Sequence, residues 1–151
     1  MKKILHPWLA LLVRVALGGL LLWASWHKIT DPPKFAHIVY NYKLFPAQAI
    51  NLIAIYMPWL EVFTGLALIS GLGRRAASFL TAALMAAFIA AISYNLSRDC
   101  PIVCGCFSSA GSELSDTEKF AAMRLDIWRD AGMLLMALHV FVASIVKRQG
   151  R

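Results

Sequence analysis

The sequence predicts an all-α membrane protein built from a bundle of four transmembrane helices, and two observations carry this prediction. The chain of 151 residues is 60% hydrophobic, and its mean hydropathy of +0.64 lies far above that of a soluble domain. Four apolar segments also approach the ~20 residues needed to cross a bilayer. They span about residues 8–26, 47–71, 76–96 and 125–146, and they predict one membrane domain over residues 1–151.

The first span resembles a secretory signal, because Lys2 and Lys3 precede an apolar run. Arg14 interrupts that run, and no small-residue cleavage site comes before Trp23 and Trp26, which predicts an uncleaved helix. The Asp-Pro-Pro sequence that follows is expected to end this helix. A short interfacial helix is then predicted over residues 34–43, with its tyrosines at the level of the lipid headgroups.

The last helix is predicted to begin before its apolar segment. Ser115, Asp116, Thr117 and Glu118 match a capping box, in which a serine and a glutamate satisfy each other's backbone amides. A helix from Asp116 to Val146 would project its first turns out of the membrane, beside the connecting segment 97–115.

The distribution of charge predicts the orientation. The net charge of +7 and the pI of about 9.7 would suggest nucleic acid in a soluble protein. Here the acid-free basic stretches all fall on one side of four spans, and the positive-inside rule makes that side cytoplasmic. We therefore expect both termini in the cytoplasm and segment 97–115 on the outer side, in an oxidising compartment. The stretches contain Lys2, Lys3, Arg74, Arg75, Lys147, Arg148 and Arg151.

Three ionisable residues lie inside the predicted spans: Arg14, Glu61 and His139. Their distances from the span midpoints give them a common depth, which predicts an Arg14–Glu61 pair with His139 nearby. Such a pair would fix helix rotation, or serve a proton path or a quinone contact.

A second polar layer at the outer edge is interpreted mostly as interfacial anchors; it contains His27, Lys28, Asn95, Arg98, Arg129 and Asp130.

All three cysteines fall within residues 100–106, and this cluster is the strongest functional signal. Cys104 and Cys106 can form a redox-active pair with Cys100 as a resolving or relay thiol, since a strained exposed disulfide is easily reduced. Alternatively, one structural disulfide leaves an inert third thiol, or three thiolates bind a metal; no zinc pattern supports the last option, so no metal is predicted. Arg129, one turn inside the fourth span, would stabilise a thiolate.

Four short motifs together resemble the MauE family, within the wider group of DoxX-like four-helix membrane proteins. They are Leu-Trp-Ala-Ser-Trp-His-Lys at 22–28, Pro-Trp-Leu-Glu at 58–61, Asn-Leu-Ser-Arg at 95–98 and Cys-Gly-Cys-Phe at 104–107, together with Arg14 and Arg129. Cys100 and Ser108 depart from the family pattern. The resemblance implies a role in methylamine utilisation, in maturation of the disulfide-rich small subunit of methylamine dehydrogenase. It also implies a location in the bacterial inner membrane, with segment 97–115 in the periplasm.

These expectations combine into a quinone-linked thiol–disulfide oxidoreductase. Cys104 and Cys106 would accept electrons from a thioredoxin-like periplasmic protein or a disulfide-rich client. Ubiquinone or menaquinone, near Trp23, Trp26 and His27, would reoxidise them, because the chain has no motif for a soluble cofactor. The rival interpretation is a non-catalytic assembly factor or complex subunit with a structural disulfide. A transporter is weaker, since no inverted repeat is visible. Lipid is an expected partner and nucleic acid is not.

Overall fold

The computed structural model describes residues 7–100 and 115–149, and within this part the chain is entirely helical. The predicted all-α fold class is confirmed, and the chain is a multi-pass membrane protein with four helices long and apolar enough to cross a bilayer. Segment 101–114, with Cys104 and Cys106, lies outside the described residues. The helices are α1 (Pro7–Thr30), α2 (Pro32–Asn41), α3 (Ala47–Ser70), α4 (Arg74–Ser97) and α5 (Asp116–Gln149).

The boundary between α1 and α2 follows from the Asp-Pro-Pro sequence. Asp31 is the N-cap of α2, and its Oδ1 accepts a hydrogen bond from the Lys34 backbone amide at 3.2 Å. The two prolines occupy the first helical positions, where an amide would have no partner in any case. The predicted short helix is therefore present, two residues earlier than expected at both ends.

The end of α4 places Cys100 by a Schellman motif. Asp99 adopts a left-handed conformation with φ of 52°, its amide donates to the Leu96 carbonyl at 3.3 Å, and the Cys100 amide donates to the Asn95 carbonyl at 3.1 Å. These bonds satisfy carbonyls that the end of a helix otherwise leaves without partners. Cys100 is thus fixed at the end of a transmembrane helix.

The capping box at the start of α5 is confirmed. The Ser115 amide donates to Glu118 Oε2 at 2.8 Å, and the Glu118 amide donates to Ser115 Oγ at 3.4 Å. With 34 residues, α5 measures roughly 51 Å at 1.5 Å per residue, far more than a bilayer requires. We call the end of the bundle that holds Cys100 and Ser115 the cysteine end, and the opposite end, with the tight turn at residues 71–73, the turn end.

The helices pack as two close pairs, α1 with α3 and α4 with α5, while α3 and α4 touch each other less. Glycines set the first crossing: a Cβ on Gly18 would lie 2.8 Å from the Gly65 carbonyl oxygen and 2.6 Å from a side-chain atom of Ile69. Only glycine permits so close an approach of two backbones. This crossing fixes the register of α1 against α3.

Candidate functional site

The most buried charged group in the described part is a lysine–glutamate pair between α1 and α3. Lys28 Nζ lies 2.6 Å from Glu61 Oε1, and each side chain is 1% exposed. The second carboxylate oxygen, Oε2, accepts from Ser25 Oγ at 3.2 Å. Both oxygens of Glu61 therefore have partners, which offsets part of the cost of removing two charges from water.

Helix geometry explains how Lys28 reaches a residue deep in α3. Each Cα–Cβ bond of a helix tilts toward the N-terminus, so the lysine stem runs back along α1, past Ser25, toward the middle of the bundle. Two aromatic rings flank its ammonium group, with Nζ at 4.8 Å from the centroid of Phe88 and 5.4 Å from that of Phe35. Cation–π contacts of this kind strengthen when the cation is desolvated.

The predicted Arg14–Glu61 pair is wrong. Arg14 lies near the turn end, where its Nη2 donates to the Ile69 carbonyl at 3.4 Å beside the C-cap Gly71. His139 forms no hydrogen bond with Glu61, and its Nε2 is buried without a partner among the described residues. The depth estimate failed because α1 continues to Thr30 and because depth says nothing about which way a side chain points.

A second charged group lies on α5, where Arg129 bridges two carboxylates. Arg129 Nη1 lies 2.6 Å from Asp126 Oδ1, and Nη2 lies 2.9 Å from Asp130 Oδ1. A small internal cavity, lined among others by Lys28, Glu61, Arg129 and Asp130, joins this group to the lysine–glutamate pair. We call these five residues (Lys28, Glu61, Asp126, Arg129 and Asp130) the polar core.

The motifs of the family resemblance supply much of this arrangement. Residues 22–28 contribute Ser25 and Lys28, and residues 58–61 contribute Glu61. The sequence interpretation nevertheless took Lys28 for an interfacial anchor. A signal was available, because Leu21, Ser25 and Lys28 follow one another at helical spacing and continue a single buried face.

An apolar groove with a volume of about 540 Å³ lies between α2, α3 and α4. Helices α3 and α4 touch each other less than the helices of the two close pairs do, and side chains of α2 border the groove on one side. Pockets of this size accept drug-sized ligands. Its walls are mainly aliphatic and aromatic, and they include Tyr42, Tyr56, Trp59, Phe63, Ala87 and Phe88.

The residues predicted to hold a quinone do not line this groove. Trp23 is 63% exposed and Trp26 is 67% exposed, so both project away from the bundle. His27 is half-buried, with its ring 6.2 Å from that of Trp23. This arrangement is typical of aromatic side chains at a membrane interface.

Tyr42 lies between the groove and the polar core. It is buried and lines the groove. Burial raises the pKa of its phenol well above the usual range, and the negative charges of Asp126 and Asp130 raise it further. Tyr42 therefore stays a neutral hydroxyl, able to donate a hydrogen bond, at the boundary of two different environments.

Of the predicted thiols, only Cys100 can be located. It is half-buried and forms no disulfide with a described residue. The described ranges contain no group of three side chains that could hold a metal ion. Arg129 stands on the helix that follows the cysteine segment, but its guanidinium is already bound by two carboxylates, so its positive charge is largely balanced.

Comparison with known proteins identifies the family. The family model described as Methylamine utilisation protein MauE matches residues 6–143, a range that includes the polar core and all three cysteines. A protein of Methylophilus methylotrophus named methylamine utilization protein MauE is 33% identical over 140 residues, which is 92% of this chain and 70% of that protein. No solved structure matches.

Proposed function

The chain belongs to the MauE family of methylamine utilisation proteins, and we propose that it passes electrons from protein thiols to a membrane quinone. The proposal places the cysteine end in the periplasm. There, Cys104 and Cys106 take electrons from a thioredoxin-like protein or a disulfide-rich client. Cys100 acts as a relay thiol beside them.

One observation carries the proposal: both ends of the cysteine segment are fixed at the end of the bundle that also holds the charged, largely buried polar core. The Schellman motif fixes Cys100 and the capping box fixes Ser115, both at the cysteine end. The polar core lies below them, between the helices. A structural disulfide would not need buried charges nearby, whereas proton-coupled electron transfer uses such groups.

The proposed reaction needs no reactant besides the two thiols and the quinone. Two thiols lose their protons and two electrons as one S–S bond forms between Cys104 and Cys106. The quinone gains both electrons and two protons on its carbonyl oxygens and leaves as a quinol. The glycine between the two cysteines allows the backbone to close a small strained ring, and a strained disulfide accepts electrons readily in the next cycle.

The groove is a better quinone site than the predicted cluster of Trp23, Trp26 and His27. Its volume accommodates a quinone ring, its apolar walls suit an isoprenoid tail, and the lining residues whose side chains carry a hydrogen-bond donor are Tyr42, Tyr56 and Trp59. These groups donate hydrogen bonds, as quinone carbonyls require. Phe88 lines the groove and also contacts the Lys28 ammonium group, so the groove directly adjoins the polar core.

A thiol count in the presence of quinone tests the proposal. The purified protein is reduced, freed of reductant, mixed anaerobically with ubiquinone or menaquinone, and alkylated with a mass tag. The wild type should lose two reactive thiols and form one quinol. Cys104→Ser and Cys106→Ser should form none, and Cys100→Ser should react more slowly. Normal client maturation by all three serine variants would instead support a non-catalytic assembly factor.

A matched pair of variants tests the groove. Ala87 lines it, whereas the exposed Ala83, one turn earlier on α4, does not. Ala87→Trp should fill the groove and slow quinone reduction, while Ala83→Trp should not. Equal rates in the two variants would leave the thiol chemistry standing but place the quinone elsewhere.

The orientation is tested separately in intact spheroplasts. A membrane-impermeant maleimide should label reduced Cys104 or Cys106 from outside, because the three acid-free basic stretches place the termini in the cytoplasm. Labelling that requires lysis would contradict both the periplasmic cysteine end and the exchange with periplasmic proteins.

A further inference from the structure

We propose that the polar core binds one proton, on Oδ2 of Asp130. The core contains three carboxylates, Glu61, Asp126 and Asp130, against two cations, Lys28 and Arg129. If every group were ionised, the interior of a membrane protein would hold an uncompensated negative charge. Such a charge is expensive among apolar helices, and binding one cation would remove it.

Hydrogen bonding identifies which oxygen takes the proton. Both oxygens of Glu61 already accept bonds, from Lys28 and Ser25. Asp126 accepts from Arg129, and its side chain keeps 16% exposure. Asp130 is 3% exposed; its Oδ1 accepts two bonds from Arg129, while its Oδ2 is buried without any partner in the described part of the chain. A buried carboxylate oxygen without a donor is the natural position for a proton.

Every helix packed around Asp130 contributes to its environment. Lys28 faces it from α1, Tyr42 from the end of α2 and Glu61 from α3, while Asp126 and Arg129 belong to its own helix. Among the described cavity-lining residues, α4 supplies only apolar side chains. No further basic group of the described chain lines the cavity, so a third internal cation is not available to Oδ2.

A metal cation does not fit the same position. The cavity that joins the two parts of the core has a volume of about 10 Å³, at the lower limit for a single water molecule. Hard cations take several oxygen ligands, whereas the remaining cavity walls are Leu21, Ala24, Met85, Phe88 and Met133. A proton needs no additional volume and no additional ligand.

This proton is placed to serve quinone reduction, a role that rests on the proposed function. Tyr42 lines the groove and packs in one cluster with Met123 and Ile127 of α5, and Ile127 lies one turn before Asp130. As the quinone takes up two electrons, the proton of Asp130 passes to one of its carbonyl oxygens by way of a bridging water and the Tyr42 hydroxyl, and the other oxygen takes its proton from solvent. Asp130 then regains a proton released by the thiols at the cysteine end. Asp130 is thus a relay residue that acts through Tyr42.

Infrared spectroscopy tests the bound proton without any turnover. At neutral pH the wild type should show the carbonyl stretch of a protonated carboxylic acid, and carboxyl-labelled ¹³C-aspartate should shift it. Asp130→Asn should remove the band, whereas Asp116→Asn, at an exposed position of α5, should keep it. Absence of the band in the wild type, or a band unaffected by labelled aspartate, would overturn the proposal even if Asp130→Asn failed to fold. So would a band that appears only after sodium is replaced by choline, because that result would indicate a sodium site.

Rate measurements distinguish the proton relay through Asp130 from the proposed transfer of electrons between thiols and quinone. Asp130→Asn should slow quinol formation by about a hundredfold, the lower end of what a positioned acid contributes, while disulfide exchange with a thiol-bearing protein keeps its rate. Asp116→Asn should match the wild type in both reactions. An unchanged rate of quinol formation in Asp130→Asn would overturn the relay. Failure of the wild type to reduce any quinone would overturn the proposed function and, with it, the relay, but not the bound proton.

Discussion

Buried charges meet one another across helices at the cysteine end of the bundle, whereas the described residues of the turn end show no such pair. Near the cysteine end, Lys28 of α1 binds Glu61 of α3, and a shared cavity links this pair to Arg129 and its carboxylates. At the turn end, Arg14 donates to a main-chain carbonyl at the end of α3. The two basic residues of α1 thus have different roles, although both lie within one apolar helix.

The difference separates two ways of placing a cation in a membrane helix. Arg14 lies at the end of a neighbouring helix, where unpaired carbonyls and the helix dipole attract positive charge. Lys28 has no helix end to bind and requires a carboxylate held in register, which the Gly18–Gly65 crossing provides. Substitutions of the buried charges at the cysteine end should therefore lower the free energy of unfolding far more than equivalent substitutions at the turn end.

The largest effect is expected from Lys28→Met, which leaves Glu61 buried without its cation. Breaking one partner of a buried pair costs about 3–5 kcal/mol, so the free energy of unfolding in detergent should fall by that amount. Lys43→Met, at an exposed lysine outside the helices, is the control and should change stability little. Equal stability of the two variants would mean that the lysine–glutamate pair does not form.

A smaller loss is expected when the α1–α3 crossing is widened. A Cβ on Gly18 would lie 2.8 Å from the Gly65 carbonyl oxygen, so Gly18→Ala must push two backbones apart. Overpacking of this kind costs about 1–3 kcal/mol. Gly19→Ala meets nothing within 4 Å and should be neutral in thermal melting. A destabilised Gly19→Ala would show that the loss reflects helix chemistry in general and not the crossing.

Removing the positive charge of Arg14 at the turn end should lower stability less than either of the changes above. Arg14→Leu deletes a cation that interacts with a helix terminus, worth about 0.3–1 kcal/mol, and strands no carboxylate. The melting temperature should therefore fall far less than in Lys28→Met. A loss as large as that of Lys28→Met would mean that Arg14 has an acidic partner after all.

The smallest predicted effect is an increase in stability. Asp99 carries a left-handed backbone with φ of 52°, which glycine adopts without strain and an aspartate only at some cost. Asp99→Gly should raise stability by about 0.5–1 kcal/mol and keep Cys100 in place. The melting curve and the reactivity of the Cys100 thiol provide the measurement, and a lower melting temperature would contradict the Schellman geometry.

The sequence predicted the helices well because their signals are local. Apolar length marked the spans, and Asp31 and Ser115 marked two helix starts through side-chain bonds to nearby amides. The pairing of the buried charges is not local, since it depends on helix rotation, on crossing distance and on the direction of each side chain. Glu61 was correctly recognised as a buried charge, but its partner was expected at the same depth on α1. The actual partner, Lys28, lies nearer the end of α1 and reaches Glu61 through its long side chain.

The groove was not predicted from the sequence because it, too, depends on non-local packing. It arises from the limited contact between α3 and α4 and from the position of α2, which a linear pattern does not record. Trp23 and Trp26 looked like a candidate binding site because they are aromatic and close in sequence. They face outward because the buried stripe of α1 follows Leu21, Ser25 and Lys28 instead.

A pair of double-mutant cycles tests the central claim most directly, because the cross-helix pair of Lys28 and Glu61 organises the cysteine end. The free energy of unfolding is measured for Lys28→Met, Arg14→Leu, Glu61→Leu and the two double variants that contain Glu61→Leu. Replacing both members of a buried pair can be nearly neutral, so Lys28→Met with Glu61→Leu should recover much of the loss of either single variant. Arg14→Leu with Glu61→Leu should be additive. Recovery in the arginine cycle and additivity in the lysine cycle would contradict the structure.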